Sequence, residues 1–407
     1  MTEGPARVDA GDVGTVVIFS CVGGGPMQRL ADTIRHEGGD GRVVAELSDE
    51  RWRGMMAGGR FGRLRARLRA MLVYPLRAVV ETARLPRDAV AVPTTNPFFL
   101  PMVLVATQPI HRRRVVPLVY DLYPDALEAT GLASRSGGMS RLARLANRYW
   151  FRGADGVVFI GEKMATHARD RYGEPRREAV IETGASTAEF DGEGVRAAPV
   201  ESDIEAWCQG KVVAAYVGNM GAVHDWETLA DAIPRVLADP RAADFAVIVA
   251  ASGPGVEQLR KRWSGLDPDR VRFEVPLPDR AWARLLVRST LSLVTLRPAA
   301  NRTSIPSKTF SAMAAGAAVV AIAPRDSDLA AVIERHRCGV NVMPGDVDSL
   351  VEVLATLTQD RAEREGLGTR ARTAMLEHYD MPVLARRWIQ FLGTVRHGPE
   401  NPSSEER

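Results

Sequence analysis

Cysteine is scarce in this chain. Cys21, Cys208 and Cys338 are the only three, and they are isolated, with no CxxC or Cys/His spacing. That excludes a disulfide framework and leaves a structural zinc site without ligands. Long apolar runs are also missing: the longest, Phe98 to Thr107, contains Pro101, whereas a membrane-spanning helix needs about twenty residues. The opening MTEGPARVDAGDVG has neither the basic start nor the apolar core of an export signal. The expected location is therefore the cytoplasm, with the inner face of the membrane left open. A net charge of +3 is too small to imply nucleic-acid binding by the whole chain. What is present is apolar material, 45% of 407 residues against 25% charged, the balance of a soluble chain with more than one core.

Short β-branched runs alternate with helical segments along the whole length, the pattern of parallel βαβ units. In the first half the strand candidates are Thr15 to Ser20, Arg42 to Leu47, Ala89 to Val92, Val115 to Tyr120, Gly156 to Ile160 and Ala179 to Glu182. In the second they are Val212 to Val217, Phe245 to Ala251, Val271 to Val275, Leu291 to Leu296, Ala318 to Ala323 and Gly339 to Met343. The expected fold is α/β, with two Rossmann-like, doubly wound parallel-sheet domains facing across a cleft. Residues 1–190 form the first domain, 191–210 a linker and 211–380 the second. A last helix over 381–396 has the option of crossing back to the first domain, and 397–407 is a polar tail.

Open parallel sheets bind ligands at the carboxyl ends of their strands, so the strand exits carry the argument. The first strand exits into Gly23-Gly24-Gly25 ahead of a helix, and the first strand of the second half exits into Gly218-Asn219-Met220-Gly221, followed by His224. Glycine loops that open helices present backbone amides to anions. Neither loop is GxGxxG, which argues against a dinucleotide-dependent dehydrogenase. A stronger signal is Ser304-Ile-Pro-Ser307-Lys308, where Pro306 and Ser307 can start and cap a helix with a lysine in its first turn. Lysine is unfavourable at a helix N-terminus unless an anion joins it, so a phosphate ligand is the economical explanation. Asp326-Ser-Asp328 resembles a metal-binding DxD, but its place just before a helix reads as capping, and no metal site is expected.

One stretch has charge of a single sign. From Arg51 to Arg77 there are eight arginines and no acid. At 100° per residue Phe61, Leu64, Leu68, Met71 and Leu72 share a stripe, which predicts an amphipathic basic helix over roughly Arg60 to Leu72. It either packs on its own domain or touches anionic lipid or an anionic acceptor.

These motifs resemble the GT-B glycosyltransferases, specifically retaining glycosyltransferase family 4. The pieces that carry the likeness are AYVGNMGAVHD (Ala215 to Asp225), LSLVTL with SIPSK (Leu291 to Lys308), AMAAGAAVVAI (Ala312 to Ile322), RCGVNVMPGD (Arg337 to Asp346), VYDLYPD (Val119 to Asp125) and GADGVVFIGEKM (Gly153 to Met164). The resemblance implies metal-independent transfer of a sugar, with retention, from a nucleotide diphosphate sugar held by the second domain. The acceptor, a sugar, a lipid-linked sugar or a small molecule, is held by the first. It places Gly218, Asn219, Met220, Gly221, Arg297, Arg302, Ser307, Lys308 and Ser311 on the donor, and Gly23, Gly24, Gly25, Asp121 and Asp125 on the acceptor. Asp121, His224 and Lys308 carry the catalytic roles, and no cofactor is implied. The family's Glu-x7-Glu pair is replaced by Thr303 and Ser311. That departure keeps two alternatives open: a nucleotide-sugar 2-epimerase, or a nucleotide-sugar-binding subunit without catalysis.

Overall fold

A computed structural model describes residues 14–48, 51, 55, 59–129, 131, 133–192, 195, 202–277 and 279–397. The N-terminal stretch, the polar tail, most of 193–201 and Pro278 lie outside the described residues. Two compact units result: 1–182 joined by 381–407, and 183–380.

The second unit is one six-stranded parallel sheet: β8 (Val212–Asn219), β9 (Phe245–Ser252), β10 (Val271–Glu274), β11 (Leu291–Thr295), β12 (Ala318–Ile322) and β13 (Gly339–Val342). Its order is β10-β9-β8-β11-β12-β13, so the direction of winding reverses between β8 and β11. Strands covered by helices on both faces read as continuous apolar runs, and Phe245 to Val249 and Ala318 to Ile322 are almost wholly buried. Burying each large aliphatic or aromatic side chain contributes about 1.5–3 kcal/mol.

The first unit departs from a single sheet. Its strands are β1 (Thr15–Gly23), β2 (Asp40–Ser48), β3 (Val90–Pro93), β4 (Arg114–Val115), β5 (Leu118–Val119), β6 (Val157–Phe159) and β7 (Glu178–Val180). They form a four-stranded sheet, β2-β1-β3-β4, and a three-stranded one, β5-β6-β7. The strand expected over Val115 to Tyr120 is split because Pro117 has no amide to donate. Before the break the Val116 amide donates to Ala91, and past it the Pro117 carbonyl accepts from Val158. A lone parallel bridge, Thr94 to Leu118, joins the two sheets. The helix Met381–His397 belongs to this unit, burying Trp388, Phe391 and Leu392, and Gly156 leaves room for the Phe391 ring.

The arginine segment forms a helix, Gly59–Leu68, a π turn, Arg69–Val73, and a second helix, Tyr74–Arg84. Its facing corrects the packed version of the expected stripe. Ala66, Ala70, Tyr74, Ala78 and Thr82 are buried, whereas Leu64, Leu68, Leu72 and Leu76 are exposed, Leu76 by 71%. Both rows repeat every four residues, and each such step drifts about 40° around a regular α-helix. The π turn, in which the Tyr74 amide reaches back to Arg69, absorbs part of that drift. Small side chains allow close approach to β2, where Tyr74 donates to the Val44 carbonyl and Arg69 and Arg77 clasp the buried Glu46. The side chains of Arg60, Phe61, Arg63 and Arg67 lie outside the described residues.

Candidate functional site

In the second unit a cavity of about 250 Å³ opens where the winding reverses, against Gly218 at the end of β8, with Trp282, Ser307, Lys308 and Ser311 in its wall. Gly218 has φ +105°, which favours glycine, and a Cβ there would sit 3.3 Å from Cε of Lys308, a tight contact. Lys308 is the first residue of the helix Lys308–Ala315. Its Nζ donates to the Asn219 carbonyl at 2.7 Å and to Nε2 of His224 at 3.3 Å, and lies 5.3 Å from the Tyr216 ring. Every one of these partners is neutral, and among the described residues no carboxylate pairs with this lysine. Burial pushes its pKa down to about 8.

His224 is buried beneath the lysine rather than in the cavity wall. Its Nδ1 lies 2.8 Å from the Thr295 carbonyl, which can only accept, so Nδ1 carries the proton and Nε2 offers a lone pair to Lys308. Burial, and then the Lys308 ammonium, lower its pKa to about 4, keeping it neutral. His224 thus contacts Lys308 from behind and does not line the cavity.

Other expected donor residues are placed differently. Met220 is fully buried in the core, and its backbone amide and carbonyl are spent on Ser252 and Gly255. Arg297 is neutralised by Glu227 and Arg302 by Asp326, and neither lines the cavity. Ser307 makes no side-chain cap, because its backbone is already helical (φ −61°, ψ −21°). Ser311 does line the cavity, whereas Thr303 is buried against the Ala300 carbonyl. Ser327 caps the next helix through the Ala330 amide, and among the described residues no cluster of His, Cys, Asp or Glu could hold a metal.

Trp282 in the wall and Gly253 behind it escaped the sequence reading. Trp282, packed edge-on against Phe190, and the Pro276-Leu277 turn flank the cavity. Gly253, at the exit of β9, supports the Asn219 loop: with φ +111°, its Cβ would come within 2.7 Å of both Asn219 Oδ1 and the Met220 carbonyl. The pair Gly253-Pro-Gly255 was the available signal. Gly253→Ala is expected to cost about 1–3 kcal/mol of stability. A denaturant midpoint equal to that of the parent would contradict this.

In the first unit a larger cavity, about 620 Å³, is walled by Gly24, Thr95, Tyr120, Asp121 and Tyr123, among others. Thr95 Oγ1 accepts from the amides of Tyr120 and Asp121 at 3.1 and 3.3 Å, fixing the loop that presents the carboxylate. Of the three glycines only Gly24 lines it; Gly23 pairs with Ser48 within the sheet and Gly25 starts the helix Gly25–His36. Asp125 is a correction: it is buried, bound by Arg171, His167 and Tyr172, and not in the wall. Burial would raise its pKa, but these partners lower it on balance, so it is a charged internal anchor.

Two α/β units built on parallel sheets are the architecture of the GT-B class of fold. Residues 211–360 match the family Glycosyl transferases group 1. A probable glycosyltransferase, WbjE of Pseudomonas aeruginosa, is 26% identical over 304 residues, 74% of each chain. Among solved structures, Anabaena Alr3699/HepE in complex with UDP has a TM-score of 0.67 at 15% identity, covering 93% of this chain and all of that one. The UDP-forming α,α-trehalose-phosphate synthase of Burkholderia xenovorans, in complex with glucose-6-phosphate, has a TM-score of 0.67 at 13% identity, over 93% of this chain and 99% of that one.

Proposed function

We propose that this chain is a retaining, metal-independent glycosyltransferase that moves a hexose from a nucleoside diphosphate sugar to an acceptor hydroxyl. The observation that carries the reading is Lys308, a half-buried cation with only neutral neighbours, at the mouth of a cavity beside a glycine loop. A diphosphate supplies the missing counter-charge. Gly218 lets it approach the backbone, and Pro276, Leu277 and Trp282 give the nucleobase an apolar wall. The UDP held by the solved HepE makes a uridine nucleotide the first donor to try.

As the bond from the anomeric carbon to the diphosphate oxygen breaks, its electron pair passes to the diphosphate, and the Lys308 ammonium stabilises that growing charge. The acceptor oxygen attacks from the face the diphosphate leaves, and its proton passes to a leaving phosphate oxygen or to Asp121. Asp121 orients the acceptor hydroxyl in the first unit's cavity. With the carboxylates of the familiar pair replaced by Thr303 and Ser311, the Ser311 hydroxyl makes the weaker, neutral contact to the donor.

The pKa of Lys308 gives the pH dependence its sign. Diphosphate binding favours the ammonium, so affinity is full below about pH 8 and falls as pH rises through that value, by about tenfold per pH unit well above it. Calorimetry in buffers of different ionisation heat should detect proton uptake on UDP binding at about pH 9. A flat profile would take Lys308 out of contact with the diphosphate.

The reaction itself is tested by incubating the protein with uridine diphosphate sugars, with and without a panel of acceptors. Nucleoside diphosphate release that depends on acceptor, with a new glycoside in the product, supports transfer. An epimerised nucleotide sugar formed without acceptor would establish the 2-epimerase, and tight binding with no turnover would establish a binding subunit.

A further inference from the structure

Beside the Asp121 cavity lies a second groove of about 660 Å³, under the helix Gly138–Gly153, and the two share Phe98, Tyr123 and Leu127 as a common wall. The groove is built almost wholly from carbon: Phe99, Met102, Leu142, Ala143, Ala146 and the Trp150 face are typical of its surface. The helix above it buries Ser140, Asn147, Trp150 and Phe151 but turns Met139, Leu142, Leu145 and Tyr149 outward, with Met139 82% exposed and Leu142 64%. It carries Arg141, Arg144, Arg148 and Arg152 and no acid. Arg141 and Arg148 are exposed. The same combination, an outward apolar row with arginines beside it, recurs on the Gly59–Arg84 segment, whose Ala70 and Met71 line the Asp121 cavity.

A polar cavity that continues into an apolar groove, under a helix that carries the exposed Arg141 and Arg148 and no acid, matches an amphiphile with an anionic head and a hydrocarbon chain. We propose that the groove under Gly138–Gly153 seats the hydrocarbon chain of a lipid-phosphate acceptor, whose sugar-bearing or hydroxyl end occupies the Asp121 cavity. This rests on the transferase reading and narrows its acceptor to lipid-linked substrates. The outward leucines and arginines then meet the anionic surface from which such a lipid is presented.

The test is calorimetric titration of the full chain with hexyl, octyl and decyl phosphate, and with inorganic phosphate as the chainless control. Affinity should rise by about threefold to fourfold per added methylene, and inorganic phosphate should not bind measurably. Ala143→Trp, which fills the groove, should weaken decyl phosphate by about tenfold or more and leave UDP binding unchanged. The same loss is expected for Leu142→Asp, a substitution at an exposed position that a folding defect does not explain. Affinity independent of chain length, no binding of any alkyl phosphate, or undiminished binding in both variants would overturn the proposal. UDP binding reports the other unit separately. Chain binding without UDP binding would defeat the transferase reading while leaving the groove, and transfer of sugar from a UDP-sugar to chainless acceptors with no chain effect would do the reverse.

Discussion

Lys308→Ala should lower turnover with a nucleotide-sugar donor by about a hundredfold to a thousandfold, the loss seen when one preorganised group facing a developing anion is removed. Donor affinity should fall less, because the charge on the diphosphate is greater in the transition state than in the ground state. Lys308→Arg is not a conservative rescue. The lysine stem runs so close to Gly218 that a Cβ there would lie 3.3 Å from its Cε, and its ammonium fits between the Asn219 carbonyl and His224 Nε2. A planar guanidinium has no matching slot there. His224→Ala removes the imidazole that holds the ammonium. It is expected to give a milder defect of the same kind, checked by whether kcat falls more than donor KM rises.

Asp121→Asn should have the second large effect, about a hundredfold or more on kcat/KM for the acceptor, since the amide keeps the shape and one hydrogen bond but cannot take a proton. The loop is fixed by the two amides that Thr95 accepts, so the substitution should leave the thermal midpoint near that of the parent. Donor binding, read separately with UDP, should change little, because the substitution leaves Lys308 and its partners untouched. Steady-state kinetics with acceptor varied at saturating donor reads this directly. A parent-like kcat/KM would remove Asp121 from the chemistry and leave the cavity as a binding surface only.

The physical reasons behind these two effects were unevenly visible in the sequence. Strands buried on both faces announce themselves as unbroken apolar runs, and the six of the second unit lie within about two residues of their expected ends. Pro117 was also in plain view inside Val115 to Tyr120, yet its consequence, two sheets instead of one, depends on which neighbours each half-strand pairs with, and that is a tertiary fact. Lys308 and Gly218 were legible because a lysine at a helix start and a glycine at a strand exit each violate a local preference. Met220, Arg297 and Arg302 were misplaced for the opposite reason. Nothing in a lone side chain records that the core takes the methionine or that Glu227 and Asp326 neutralise the arginines. The arginine helix shows the limit of periodicity. Leu64, Leu68, Met71 and Leu72 of its stripe are exposed, and the small residues Ala66, Ala70 and Ala78 are the buried ones. Trp282 had no positional signal at all, since an amphipathic helix accounts for its place without a ligand.

The measurement closest to the central claim is calorimetric titration of the parent and Lys308→Ala with UDP and with uridine, near neutral pH. If the cavity at the end of β8 holds the diphosphate against Lys308, UDP should bind the parent and lose about 1.5–3 kcal/mol in the variant, the strength of a charge-assisted hydrogen bond. Uridine, which lacks the phosphates, should bind both proteins alike. Equal losses for the two ligands would mean that the substitution damages the helix rather than a phosphate contact, and UDP binding unchanged in Lys308→Ala would contradict the assignment of this cavity as the donor site.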